Sequence, residues 1–179
     1  MLIMLDLRKQ KKYRVREEML QHLERFRLAP KFSAGVWYFF PGGGRFHERY
    51  VPQGSMEDVL DKVRGLYDRG VVDRNFRLEA HYPNEVNREN LDLFRELEKE
   101  TGVKLLTVVP NLFYDRVWEF GSLSNPRDEI RQRAIDRTVE ALTLNKELAT
   151  DFAIVWPGID GYENPLGTDF YHMWSRFEG

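Results

Sequence analysis

Four side chains of this sequence have types and spacings suited to holding a small polar ring: Trp37, His81, Phe113 and Trp156. Each falls near the end of an apolar or aromatic run. In parallel α/β folds, functional groups gather at the C-terminal ends of strands. Trp37 lies in the first such run. His81 closes the second, with Asn84 and Glu85 just beyond it. Asn111, Leu112 and Phe113 follow the third. Trp156 ends the fourth, followed by Asp160 and Glu163. Aromatic faces pack against the C–H faces of a sugar, and a histidine moves protons near neutral pH. Taken singly, each aromatic also reads as core packing, and His81 as a structural hydrogen-bonding group. The occurrence of all four at strand ends is what points to a site.

Other chemistries find less support. The loop Pro41-Gly42-Gly43-Gly44-Arg45 follows a strand, as a phosphate loop does, but matches neither G-x-G-x-x-G nor G-x-x-x-x-G-K-[ST]. Ten residues also separate it from the next helix, whereas a nucleotide site needs its glycines to run into the helix N-terminus. No G-x-S-x-G element is present, so a serine-hydrolase elbow is unsupported. His22, His47, His81 and His172 show no metal-ligand spacing such as H-E-x-x-H. A carboxylate-rich site for a hard cation stays open, because its ligands can come from distant strands.

The elements that must position these residues follow from periodicity. Val15, Met19, Leu23 and Phe26 form an amphipathic helix stripe closed by Pro30. Phe32–Phe40 reads as a strand from its aromatic and β-branched content. Ser55 opens a helix with Asp58 in a capping box, Val59, Val63 and Leu66 as its apolar stripe, and Gly70 as its stop. Phe76–Tyr82 is a second strand. Asn87 is expected to cap a helix with Leu91, Phe94 and Leu97 on its apolar face, ended by Gly102. Val103–Val109 is nearly continuous apolar, which suits a parallel strand covered on both faces. Asn125-Pro126 starts a long helix with Ile130, Ala134, Thr138, Leu142 and Leu148 down one side. Phe152–Trp156 reads as a fourth strand and Phe170–Phe177 as a short final helix. A helix followed by alternating strands and helices implies a parallel sheet with right-handed crossovers, either doubly wound or a barrel. Residues 1–30 are expected as an N-terminal helical segment, packed on the domain or used as a basic docking surface, and 31–179 as the α/β domain.

Composition narrows the partners. The 179 residues carry 27 basic and 29 acidic side chains, a net charge of -2, which gives no electrostatic case for nucleic acid. Residues 1–30 are locally basic, with eight Lys/Arg against four Asp/Glu. The absence of cysteine excludes disulfides, thiolate zinc sites and a cysteine nucleophile. The run Met1–Leu5 is too short for a signal-peptide core, and nothing approaches the ~20 apolar residues of a membrane span. The chain is expected to be cytoplasmic.

The stretch Phe32–Glu163 resembles the first half of the xylose isomerase family. The strongest match runs from Thr101-Gly102-Val103-Lys104 to Pro110-Asn111-Leu112-Phe113, where the family has T-G-x-K leading into T-N-L-F. It continues through Val117, Gly121, Ser124-Asn125 and Arg131–Ile135. It ends at Trp156-Pro157-Gly158-Ile159-Asp160-Gly161-Tyr162-Glu163, against the family's W-G-G-R-E-G-x-E. Ala34–Trp37 is similar to F-G-L-W, and His81 falls on H-D-D-D.

The resemblance implies a (β/α)8 TIM barrel, of which about four βα units are present. It implies a sugar isomerase that interconverts aldose and ketose by a metal-assisted hydride shift. His81 would hydrogen-bond the sugar ring oxygen, and Trp37, Phe113 and Trp156 would form a wall excluding water. The implied cofactor is a divalent metal (Mg, Mn or Co), and the implied partner is a sugar bound by a homo-oligomer. Two departures stand out. The family's aspartate three residues past the histidine is Asn84 here, and a neutral amide cannot support an imidazolium as a carboxylate can. The family's metal carboxylates and catalytic lysine belong to strands five to eight, which lie past residue 179. The chain is therefore expected to be inactive alone. The alternatives are a half-barrel that works as a binding or assembly module, and a sugar-phosphate epimerase relative.

Overall fold

The computed structural model describes residues 17–40, 54–158 and 165–179. The Gly42–Gly44 loop, His47, Asp160 and Glu163 lie outside the described residues. Contacts divide the chain into Met1–Lys31 and Phe32–Gly179. In the first unit, helix α1 spans Glu17–Arg25, with Glu17 and Glu18 in its first turn and His22 and Arg25 in its last. That charge order complements the helix dipole.

The second unit is built on a parallel sheet of three strands in the order β1 (Ser33–Gly35), β2 (Arg77–Tyr82) and β3 (Lys104–Pro110). Helix α2 (Met56–Asp68) joins β1 to β2, and α3 (Leu91–Thr101) joins β2 to β3. Helix α4 (Asp128–Glu147) follows β3, and α5 (Phe170–Glu178) ends the chain. In β1, Ser33 pairs with Arg77 and Gly35 with Glu79. Between β2 and β3 the register shifts after Leu78, so that Leu105 opposes Leu78 but Thr107 opposes Glu79. Leu106 is the extra residue, a bulge. This α/β arrangement is compatible with part of a barrel.

Local chemistry sets most boundaries. Ser55 and Asp58 form the expected capping box, each side chain accepting the other's backbone N–H at 3.1 Å. Val59, Leu60 and Val63 of α2 and Leu91, Phe94 and Leu97 of α3 pack with Leu78, Ala80, Leu105 and Val108 of the sheet in one core cluster. A fully buried side chain of this kind contributes roughly 1.5–3 kcal/mol.

Four expectations need correction. The first strand stops at Gly35, because Val36–Tyr38 wind into a 3-10 turn that buries Trp37. Helix α3 begins after Asn90, not Asn87. Asn87 instead forms a local turn, its side-chain oxygen accepting the Glu89 N–H at 2.9 Å. On α4 the buried face is Ile130, Ala134, Ala141 and Leu144, while Leu142 is exposed. At 3.6 residues per turn a stripe drifts by one position over two turns, from 134 to 141.

The fourth correction concerns Phe152–Trp156, which runs beside β3 without joining the sheet as a strand. Phe152 N–H reaches the Leu106 carbonyl at 3.0 Å, but Ile154 N–H meets the Thr107 hydroxyl instead of a backbone carbonyl. At Val108 the ladder is taken over by a side chain from α4. Asn145 Oδ1 accepts Val108 N–H at 2.9 Å, and Asn145 Nδ2 donates to Val108 O at 2.7 Å.

At the N-terminal ends of the strands, Asp151 accepts from Arg77 of β2 at 2.9 Å and pairs with Lys104 of β3 at 2.8 Å. Hydrogen bonds from Lys104 and then Arg77 hold its carboxyl below the usual range. A depressed folded-state pKa gives stability that is present above the unfolded value of ~3.9 and lost as pH falls through the folded one. Asp151 is 37% exposed, so solvent screening limits the pair to about 1 kcal/mol. Asp151→Asn is expected to lower Tm by ~2–4 °C at neutral pH. Calorimetry at decreasing pH is expected to show this gap closing below about pH 4.

Candidate functional site

The structure brings Trp37, His81, Phe113 and Trp156 together at the C-terminal ends of the strands. Their rings form a continuous row. Trp37 and His81 centroids are 4.5 Å apart, His81 meets Phe113 edge-on at 5.5 Å, and Phe113 lies 4.8 Å from Trp156. Trp37 and His81 are buried, whereas Trp156 is 37% exposed, so one end of the row faces solvent.

Each ring is fixed by its backbone. Trp37 folds back over Gly35, where a Cβ would lie 2.1 Å from the indole ring. Only glycine permits that approach. His81 pairs with Val109 near the end of the β2–β3 ladder. Phe113 follows Asn111, whose N–H donates to Tyr82 O at 2.8 Å and prolongs the ladder by one bond. Asn111 Oδ1 accepts the N–H of Tyr114 at 3.0 Å, which turns the chain toward Phe113. Gly158, at a φ of +72°, lies where a Cβ would be 2.6 Å from Phe113 Cβ, so the loop after Trp156 closes tightly on the ring.

Asn84, expected beside His81, does not reach it. Its Oδ1 accepts from Asn111 Nδ2 at 2.6 Å. Glu85, one residue later, is buried and places Oε2 2.8 Å from His81 N and 3.0 Å from His81 Nδ1. A carboxylate accepts when ionised, so in this contact Nδ1 is the ring nitrogen suited to donate. In the sequence Glu85 is simply adjacent to Asn84, and spacing alone does not place its side chain. The apolar Val86 next to it, fully buried, is the signal that this segment turns inward.

The described residues do not offer a divalent metal a set of ligands. Among the described residues, no group of three or more His, Asp or Glu side chains is placed to hold one. Glu85, a carboxylate beside the row, is already engaged with His81. Among the described residues, no helix is long and apolar enough to cross a membrane.

No protein-family model matches the chain. Similarity to individual proteins is clear, however. The xylose isomerase of Brucella anthropi is 34% identical over 96 residues, covering 54% of this chain and 21% of that protein. Those of Brucella ovis and Brucella suis are each 33% identical over 163 residues, covering 78% of this chain and 36% of theirs. The chain thus spans about a third of the length of the curated relatives it matches. Over most of its length, the protein is a relative of the xylose isomerases and corresponds to a portion of them.

Proposed function

We propose that the row Trp37–His81–Phe113–Trp156 is the sugar-facing wall of an aldose–ketose isomerase site. The observation that supports this is the buried His81 set between aromatic rings, with Nδ1 turned to a carboxylate. In this reading the aromatic faces take the C–H faces of the sugar and keep water from the reacting carbons. His81 Nε2 hydrogen-bonds the ring oxygen. As an imidazolium it donates its proton there while the bond from the anomeric carbon to the ring oxygen breaks; the anomeric hydroxyl gives its proton to water as its C–O becomes C=O, and the imidazole is left neutral. The relatives' name makes D-xylose the natural first probe.

Tryptophan fluorescence of the 179-residue chain titrated with D-xylose tests the wall. Saturable quenching with a Kd on the order of 1–10 mM is expected, the range of a few weak contacts. Trp37→Ala and Phe113→Ala are each expected to weaken it about tenfold, the equivalent of ~1.4 kcal/mol. Non-saturable quenching, or wild-type affinity in both variants, would remove the wall from the reading.

A further inference from the structure

We propose that Glu85, and not Asn84, is the positioning residue of His81, and that Asn84 serves instead to clamp the loop that carries Phe113. This rests on the reading of His81 as the proton-handling group, but it concerns different atoms and is tested separately.

Glu85 is built for the task from both sides. One carboxylate oxygen accepts the backbone N–H of His81 at 2.8 Å and lies 3.0 Å from Nδ1 of the same residue. The ring is therefore fixed relative to its own main chain. The Glu85 backbone is held in return, its N–H donating to His81 O at 2.9 Å and its carbonyl accepting from Asn90 Nδ2 at 3.0 Å. Asn90 also accepts Asn87 N–H through its Oδ1, so the start of α3 is tied into the same turn. Both carboxylate and imidazole are nearly out of solvent, where a charge-assisted hydrogen bond is stronger than in water. Glu85 thus supplies, from one residue further on, what the amide at position 84 cannot.

Asn84 points the other way. It accepts from Asn111 Nδ2 at 2.6 Å, and Asn111 Oδ1 in turn accepts the N–H groups of Phe113 and Tyr114 at 3.4 and 3.0 Å. A neutral amide suits this relay, because Asn111 donates from one end and accepts at the other. The two tasks of ring orientation and loop anchoring are therefore divided between neighbouring residues.

Nitrogen-15 NMR of the histidine rings decides the matter. It is best recorded at about pH 9, above the usual imidazole range of ~6.5. In the wild-type chain His81 is expected as the Nδ1–H tautomer, its ring proton showing cross-peaks to the Glu85 side chain. Glu85→Met is expected to lose that dominant tautomer in favour of Nε2–H. Glu85→Gln, which keeps an acceptor oxygen, restores it. Asn84→Ala leaves the tautomer unchanged but shifts the Phe113 and Tyr114 amide resonances. A wild-type proton on Nε2 overturns the proposal even if Glu85→Met fails to fold, as does an unchanged tautomer in a folded Glu85→Met or a changed one in Asn84→Ala. Titration of the same proteins with D-xylose at neutral pH separates the two ideas. A wild type with the Nδ1–H tautomer that ignores the sugar defeats the functional reading and leaves the role of Glu85 standing.

Discussion

Asn145→Ala is expected to destabilise the fold by about 3 kcal/mol, although Asn145 lies away from the aromatic row. The amide is buried and makes four hydrogen bonds, accepting from Val108 N and Thr150 Oγ1 and donating to Val108 O and Ala141 O, all between 2.6 and 2.9 Å. Val108 is fully buried, so alanine would strand its N–H and its C=O together. Each buried group left without a partner costs roughly 1–3 kcal/mol. In a chain of this size that is a fall in Tm of ~6–12 °C. Thr150→Val removes a single bond from the same amide and is the natural comparison, with an expected loss of about 1 kcal/mol. Thermal melts of the two variants giving equal, small losses would show that water takes over at Val108.

The second large effect is expected at Gly35. Alanine there would set a methyl group 2.1 Å from the Trp37 ring. The backbone at Gly35 is ordinary, with φ -71°, so the substitution acts through this overlap alone. The indole has to leave its place beside His81, and overpacking of this kind costs about 1–3 kcal/mol. Near-UV circular dichroism is expected to lose the Trp37 contribution, and saturable D-xylose quenching is expected to fall at least tenfold. Gly65→Ala in α2 is the control, because a Cβ there meets nothing within 4 Å. It removes a helix-interior glycine and is expected to stabilise by roughly 0.5–1 kcal/mol. Unaltered sugar binding by Gly35→Ala would show that Trp37 is a core residue only.

What could be read from the residues is what local chemistry decides. The capping box at Ser55, the stripe Leu91, Phe94 and Leu97, and the stop at Gly102 all depend on neighbours within a few positions. The convergence of Trp37, His81, Phe113 and Trp156 was also legible, because parallel strands bring their C-terminal ends to one side whatever their sequence. The failures are those where a side chain competes with the backbone across the fold. Phe152–Trp156 has strand composition, yet Asn145 and Thr107 occupy hydrogen bonds that a ladder would need. Those residues lie seven and more positions away and carry no periodic signal. Val36–Tyr38 look like strand residues, but burial of the Trp37 indole over Gly35 turns the chain first. The choice of Glu85 over Asn84 as the partner of His81 is a matter of one residue in a turn. Spacing rules cannot resolve that without the path of the backbone.

The amide at Asn145 has a further consequence for how this molecule meets copies of itself. An open strand edge invites another chain to add to it, the usual start of ordered aggregation. On β3 that invitation is withdrawn at Val108, where both backbone groups are already answered from α4. The neighbouring segment still shows Phe152, Ile154 and Val155 to solvent. A second chain arriving along this side would meet exposed apolar side chains, and at Val108 it would find no open backbone groups to pair with.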